Sequence, residues 1–122
     1  MITIQPETQK NILVAKASEH LTADDYKNIL IPTIKELITR YDKINAVIEI
    51  DGSFKGWEAE ALAEAFPFAR KERHHLHRMA IVGAPTWLKG ISTFLAHALG
   101  KDLKHFDNAS LKEALAWAKE EK

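Results

Sequence analysis

The sequence predicts an α/β fold in the order β-β-α-β-α-β-α-β-α, with a five-stranded, mostly parallel sheet, one antiparallel edge strand and flanking helices. Three observations carry this expectation. Short β-rich runs alternate with amphipathic runs of helical length, the pattern of strands joined by crossover helices. Met79 to Val82 is apolar without alternation, as in a strand buried on both faces. Two β-like runs at the start are separated only by turn-type residues, which reads as a hairpin.

The first strand is ITI, ended by Pro6, and the second is NILVAKAS. A helix then starts at Thr22, which sits three residues before Asp25 at capping-box spacing, with Asp24 adding negative charge to the first turn. Tyr26, Leu30, Ile34, Leu37 and Tyr41 share one arc of this helix and predict its buried stripe. Pro32 cannot donate to the Asn28 carbonyl, so a bend is expected there. INAVIEID is the third strand, ended at Asp51-Gly52. A helix from Trp57 to about Glu72 follows, interrupted by Pro67, and RMAIVG is the fourth strand. PTWLKGISTFLAHAL is the third helix, with Pro85 near its first position and Gly100 as its stop. Its predicted buried face is Trp87, Ile91, Phe94, Leu95 and Ala98. LKHFD is the fifth strand. The last helix begins at Asn108 or Ser110 and buries Leu111, Ala114, Leu115 and Ala118.

The totals exclude several functions. The 122 residues suit one domain with one core. Seventeen acidic and seventeen basic residues balance, so no bulk charge attracts nucleic acid or membrane. The absence of cysteine removes disulfides, thiolate metal sites and cysteine nucleophiles, and fits a reducing compartment. No run approaches a membrane span, and the first residues do not read as a signal peptide. The expected location is the cytoplasm, with peripheral membrane contact at most.

LTADDYKNILIPTIKELI, VIEIDGSFKGWEAEAL, HRMAIVGAPTWLKG and LKHFDNASLKEALAW occur in this order and cover most of the chain. In these segments the sequence resembles the SpoIIAA-like family, relatives of STAS domains (the sulfate-transporter and anti-sigma-factor-antagonist fold) that share features with CRAL-TRIO lipid-transfer domains. The resemblance implies a small non-enzymatic domain that binds a partner protein or holds an apolar ligand, at a membrane surface in some settings. STAS antagonists of the anti-sigma-factor type are switched by phosphorylation of a serine just after the third strand. The matching stretch is Asp51-Gly52-Ser53-Phe54-Lys55-Gly56-Trp57, where Ser53 is displaced by one residue and followed by bulky groups.

In parallel sheets ligands usually bind beyond the carboxyl ends of the strands. Those ends are Asp51-Gly52-Ser53, Gly83-Ala84-Pro85 and Phe106-Asp107. Phe54, Trp57, Phe66, Phe68 and Trp87, with Gly83 at the strand end, are therefore the candidate walls of a site for an apolar small molecule or lipid. The competing reading makes the aromatic residues core anchors. The broad apolar arc of the Trp57 helix would equally suit burial against a second copy of the chain in a homodimer. Glu49 interrupts an apolar strand; burial there would raise its pKa, but the commoner placement is a solvated one near the sheet rim, so a general base is not expected. No nucleophile elbow, phosphate-binding glycine loop or zinc-protease helix is present, so no enzyme activity and no cofactor are expected.

Residues 70 to 78 read RKERHHLHR. Two histidines at helix or strand spacing without an evident third ligand do not predict a metal site. Cations at a helix C-terminus complement its unpaired carbonyls, which is the simplest reading. Arg70, Lys71, Arg73, His74, His75 and Arg78 then form a basic pole opposite the ligand end, suited to an anionic membrane surface or an acidic protein. Nucleic acid is not expected, since no aromatic residues interleave with the basic ones.

Overall fold

A computed structural model describes residues 1–99, 102–108 and 110–119. Among them the strands are β1 (Ile2–Ile4), β2 (Ile12–Ala17), β3 (His20–Leu21), β4 (Ile44–Ile50), β5 (Gly56–Trp57), β6 (Leu76–Val82) and β7 (Asp102–Phe106). The helices are α1 (Ile31–Tyr41), α2 (Ala59–Lys71), α3 (Thr86–Leu99) and α4 (Leu111–Lys119). The main sheet has the order β1-β2-β4-β6-β7, with β1 antiparallel to β2 and every other pair parallel. The expected α/β architecture is thus present. One feature was not anticipated: β3 and β5 pair in parallel as a second, two-stranded sheet, joining Leu21 to Trp57.

Each step from β2 to β4 to β6 to β7 moves to the next neighbour in the same direction. Right-handed crossovers then place α1, α2 and α3 on a single face. The core follows that division. Leu13, Ala15, Ile44, Ile50 and Ile81 face the three crossover helices, while Ile12, Val14, Val47, Ala80 and Val82 pack against Ala114 and Ala118 of α4.

The helix before β4 starts as expected. The Thr22 N–H donates to the Asp25 carboxylate at 2.8 Å and the Asp25 N–H donates to the Thr22 hydroxyl at 3.1 Å, a reciprocal capping box. Burial pushes the Asp25 carboxyl up, but hydrogen bonds from Thr22 and the Met1 ammonium beside it outweigh that and leave it below its usual value. The bend expected at Pro32 takes the form of a widened π-type turn over Asp25–Leu30, after which α1 proceeds with Pro32 as its second residue. Of the predicted stripe, Ile34 is buried and Tyr26, Leu30 and Leu37 are half-buried. Tyr41 is exposed, because it lies at the last turn, past the sheet it was expected to meet.

Two boundaries differ from expectation. Trp57 is held in the β3–β5 ladder, so α2 starts at Ala59 after an extended Glu58. β6 starts at Leu76, two residues before the expected Arg78, which brings Leu76 and His77 into the sheet. Here β6 carries a bulge: Ile44 pairs with Leu76 and Ala46 with Met79, so His77 and Arg78 together face the single residue Asn45.

Asn45 and Arg78 solve two problems at once. The Arg78 backbone N–H, displaced by the bulge, donates to Asn45 Oδ1 at 2.9 Å. The Asn45 amide nitrogen donates to the Ala118 carbonyl at 2.6 Å, and Arg78 Nη1 donates to the Trp117 carbonyl at 2.7 Å. These carbonyls belong to the last turn of α4, where intrahelical donors run out. The guanidinium also lies 4.9 Å from the centre of the Trp117 ring. The cover of the second face is therefore clamped by polar side chains from the strands beneath it. Asn45→Ala should lower unfolding free energy in urea titrations by about 2 kcal/mol, since it strands a buried N–H and a helix carbonyl. Exposed Thr39→Ala should change it by less than about 0.5 kcal/mol.

Candidate functional site

A ligand crevice in a parallel sheet is favoured where crossovers diverge to opposite faces, and here they all run one way. At the carboxyl ends of the strands, the described residues include a packed aromatic group. Phe54 is 7% exposed, meets the Trp57 ring edge-on at 5.5 Å and stacks on Trp87 at 5.9 Å with 7° between the planes. The Trp57 indole N–H donates to the Tyr26 hydroxyl at 3.0 Å, tying the group to the π-type turn. Burial raises the Tyr26 phenol above its usual value, so it stays a neutral acceptor. Tyr26 is the member of this group that sequence reasoning assigned only to the core stripe.

Of the six predicted ligand residues, the structure brings Phe54, Trp57 and Trp87 together. Gly83 lies at the end of β6 with φ +80°, and a Cβ there would sit 2.8 Å from Asn108 Oδ1 and 3.2 Å from the Ile50 carbonyl. The missing Cβ allows close approach of backbone there. Phe68 is elsewhere, packed with Leu13, Ile34 and Ile44. Phe66 is on the outside of α2, 46% exposed.

The face of α3 is turned from the expected one. Leu88 is buried against the sheet, and Ser92, one turn on, has its hydroxyl 2.8 Å from both the Leu88 carbonyl and His105 Nε2. Trp87, Ile91 and Phe94, the stripe about 100° round the helix, stand 45%, 47% and 72% exposed. The side chains of Leu95 and Ala98, and the helix stop at Gly100, lie outside the described residues. Burial lowers the affinity of His105 for a proton, and Lys89 adds to the effect. The Ser92–His105 contact fastens α3 to β7. Among the described residues no carboxylate pairs with that histidine.

Around α2 the apolar surface acquires charge. Phe66, Pro67, Arg70 and Lys71 line an open concavity of about 420 Å³. Pro67 has no N–H to offer the Ala63 carbonyl, which weakens α2 at that point. Further along RKERHHLHR the residues separate. His74 and Arg73 are exposed in the turn. His75 Nδ1 donates to the Asp42 carbonyl at 2.7 Å, while Lys43 Nζ donates to the His74 carbonyl at 3.0 Å, so this pair joins the α1–β4 turn to the α2–β6 turn. Arg78 is buried under α4 and is not part of any docking surface. The basic pole is also diluted by Glu36, paired with Arg40 at 3.4 Å, and by Asp42 beside His75 at 3.3 Å. Among the described residues no three His, Asp or Glu side chains come together as metal ligands.

Ser53 sits on the exposed turn after β4. Its hydroxyl donates to the Asp51 carboxylate at 2.6 Å, its N–H donates to the same oxygen at 3.0 Å, and its Oγ accepts from the Glu19 N–H at 3.3 Å. These bonds from Ser53 hold the Asp51 carboxyl below its usual value, with a smaller contribution from Lys16.

The sequence from residue 12 to residue 119 matches the SpoIIAA-like family model. The chain belongs to the SpoIIAA-like family. A solved structure described as an uncharacterized DUF3478-family protein with a SpoIIAA-like fold, from Shewanella loihica PV-4, superposes with a TM-score of 0.76. The two are 22% identical, and the match covers 96% of this chain and 93% of that one, a likeness of fold. No curated protein matches the sequence. For this SpoIIAA-like domain, Gly83→Ala should cost about 1–3 kcal/mol in urea unfolding, from a left-handed φ and a clash with backbone. Gly52→Ala, where a Cβ would meet nothing within 4 Å, is the control and should stay within about 0.5 kcal/mol of the parent.

Proposed function

We propose that this chain is a non-catalytic SpoIIAA-like domain that holds an apolar small molecule or lipid against the outer face of α2 and α3. The observation that carries the reading is the exposed stripe Trp87, Ile91 and Phe94, with Phe66 exposed on α2. Covering a large apolar side chain returns about 1.5–3 kcal/mol, so a solvated row of them favours a ligand or a surface. Exposed Arg70, Lys71, Arg73 and His74 supply cations for peripheral contact with an anionic bilayer, at about 1 kcal/mol per well-placed charge. Among the described residues no helix is long and apolar enough to cross a membrane.

Native mass spectrometry and lipid extraction of freshly purified protein should reveal a bound apolar molecule. Flotation with anionic vesicles should recover the protein at low salt, and Phe94→Asp should weaken recovery by about tenfold. A protein that carries no ligand and ignores vesicles at low salt rules the reading out. A mass that doubles with concentration, and a doubling lost in Phe94→Asp, would show a homodimer using the face instead.

A second reading, a regulatory module of the anti-sigma-factor-antagonist type, is favoured by the geometry of Ser53. Its exposed hydroxyl lies 2.6 Å from the Asp51 carboxylate, so a phosphoryl group, with about −1.5 to −2 charge, would repel Asp51 and open the turn. Phosphopeptide mapping from native cells should find modified Ser53, and Ser53→Asp should change the proteins captured relative to the parent. Unmodified Ser53 together with an unchanged set of partners excludes the switch.

A further inference from the structure

We infer that the ligand of the α2 face is an anionic amphiphile, with a single-chain fatty acid as its simplest form. This rests on the apolar-ligand reading above and narrows it to a chemical class. The concavity of about 420 Å³ is open to solvent and lined by α2 alone, so an occupant lies along the helix rather than inside a closed cavity. Its lining is not uniformly apolar. Phe66 and Pro67 form its apolar part, and Arg70 and Lys71 lie four residues further along α2. Residues four apart stack on one helix face, so the cations sit about 6 Å beyond the apolar pair along the axis. An occupant that satisfies both halves has a hydrocarbon portion and a negative head group about one helical turn apart.

The cations are available for this. Among the described residues neither the Arg70 nor the Lys71 side chain makes an ion pair or hydrogen bond. Two acids of the same helical layer are already engaged, Glu64 with Lys27 at 3.7 Å and Glu36 with Arg40 at 3.4 Å. A guanidinium fork matches a carboxylate or phosphate in two parallel hydrogen bonds, and the neighbouring ammonium adds a point charge. Complementing the helix C-terminus explains why cations are tolerated there, but not why they border an apolar concavity.

The test compares dodecanoate and dodecanol, equal in chain length, as monomers below the micellar threshold, binding to the full chain in low salt. Dodecanoate is expected to bind at least about tenfold more tightly, and the double variant Arg70→Gln, Lys71→Gln to lose that preference while still binding dodecanol. Thermal unfolding of the variant within a few degrees of the parent shows that the fold is kept, since both side chains are exposed. Equal affinity for acid and alcohol, or a preference that survives the double substitution, overturns the inference and leaves the apolar-ligand reading standing. Binding of neither molecule, together with no association with anionic vesicles, overturns both. Association with anionic vesicles alone, without monomer binding, assigns the cations to a bilayer and also overturns it.

Discussion

The handedness of the crossovers governs this molecule. Three parallel connections step in one direction across the sheet, and right-handed geometry stacks α1, α2 and α3 on one side of it. That leaves a second apolar face, centred on Val14, Val47 and Ala80, with a single helix to cover it. The polar clamp of Asn45 and Arg78 on the last turn of α4 is a consequence. With little helix area available on this side, directional bonds supply orientation that packing alone would leave loose. The bulge in β6 belongs to the same solution, because it frees the N–H that Asn45 accepts and brings the guanidinium under the Trp117 ring.

The crowded side has the opposite character. Three helices share one face, and the connections at its carboxyl end are closed by Phe54, Trp57 and Trp87 and cross-braced by the β3–β5 ladder. Phe54 and Trp57 are thus spent on internal closure, while Trp87 stacks on Phe54 and keeps nearly half its surface in solvent. What remains for recognition is the outside of the helical layer, where α3 turns Trp87, Ile91 and Phe94 away from the sheet and α2 sets Arg70 and Lys71 beside Phe66.

Much of this architecture was legible in the residues, because it depends on local pattern and on chirality. The Thr22–Asp25 capping box, the uninterrupted Met79–Val82 run and the hairpin of the first two strands each report on near neighbours or on burial of both faces. The parts that were not legible depend on tertiary geometry. Periodicity alone does not say which side of α3 meets the sheet; Leu88 is the side chain buried there, with Ser92 beside it meeting His105. Trp57 reads as a helix start, yet pairs with Leu21 across a long sequence separation. RKERHHLHR reads as one basic cluster, whereas the strand boundary at Leu76 sends Arg78 inward and leaves Arg70 and Lys71 outside. The rule that places ligands at strand ends is strongest where crossovers diverge, and here the connections all step one way.

The position of α4 in the chain also has a temporal meaning. It follows every strand it covers, and synthesis proceeds from the N-terminus. Until α4 has docked, the face of Val14, Val47 and Ala80 is without its helical cover. For that interval the half-built domain offers an apolar sheet surface to whatever is nearby. Docking of α4, fastened at its last turn by Asn45 and Arg78, ends that exposure.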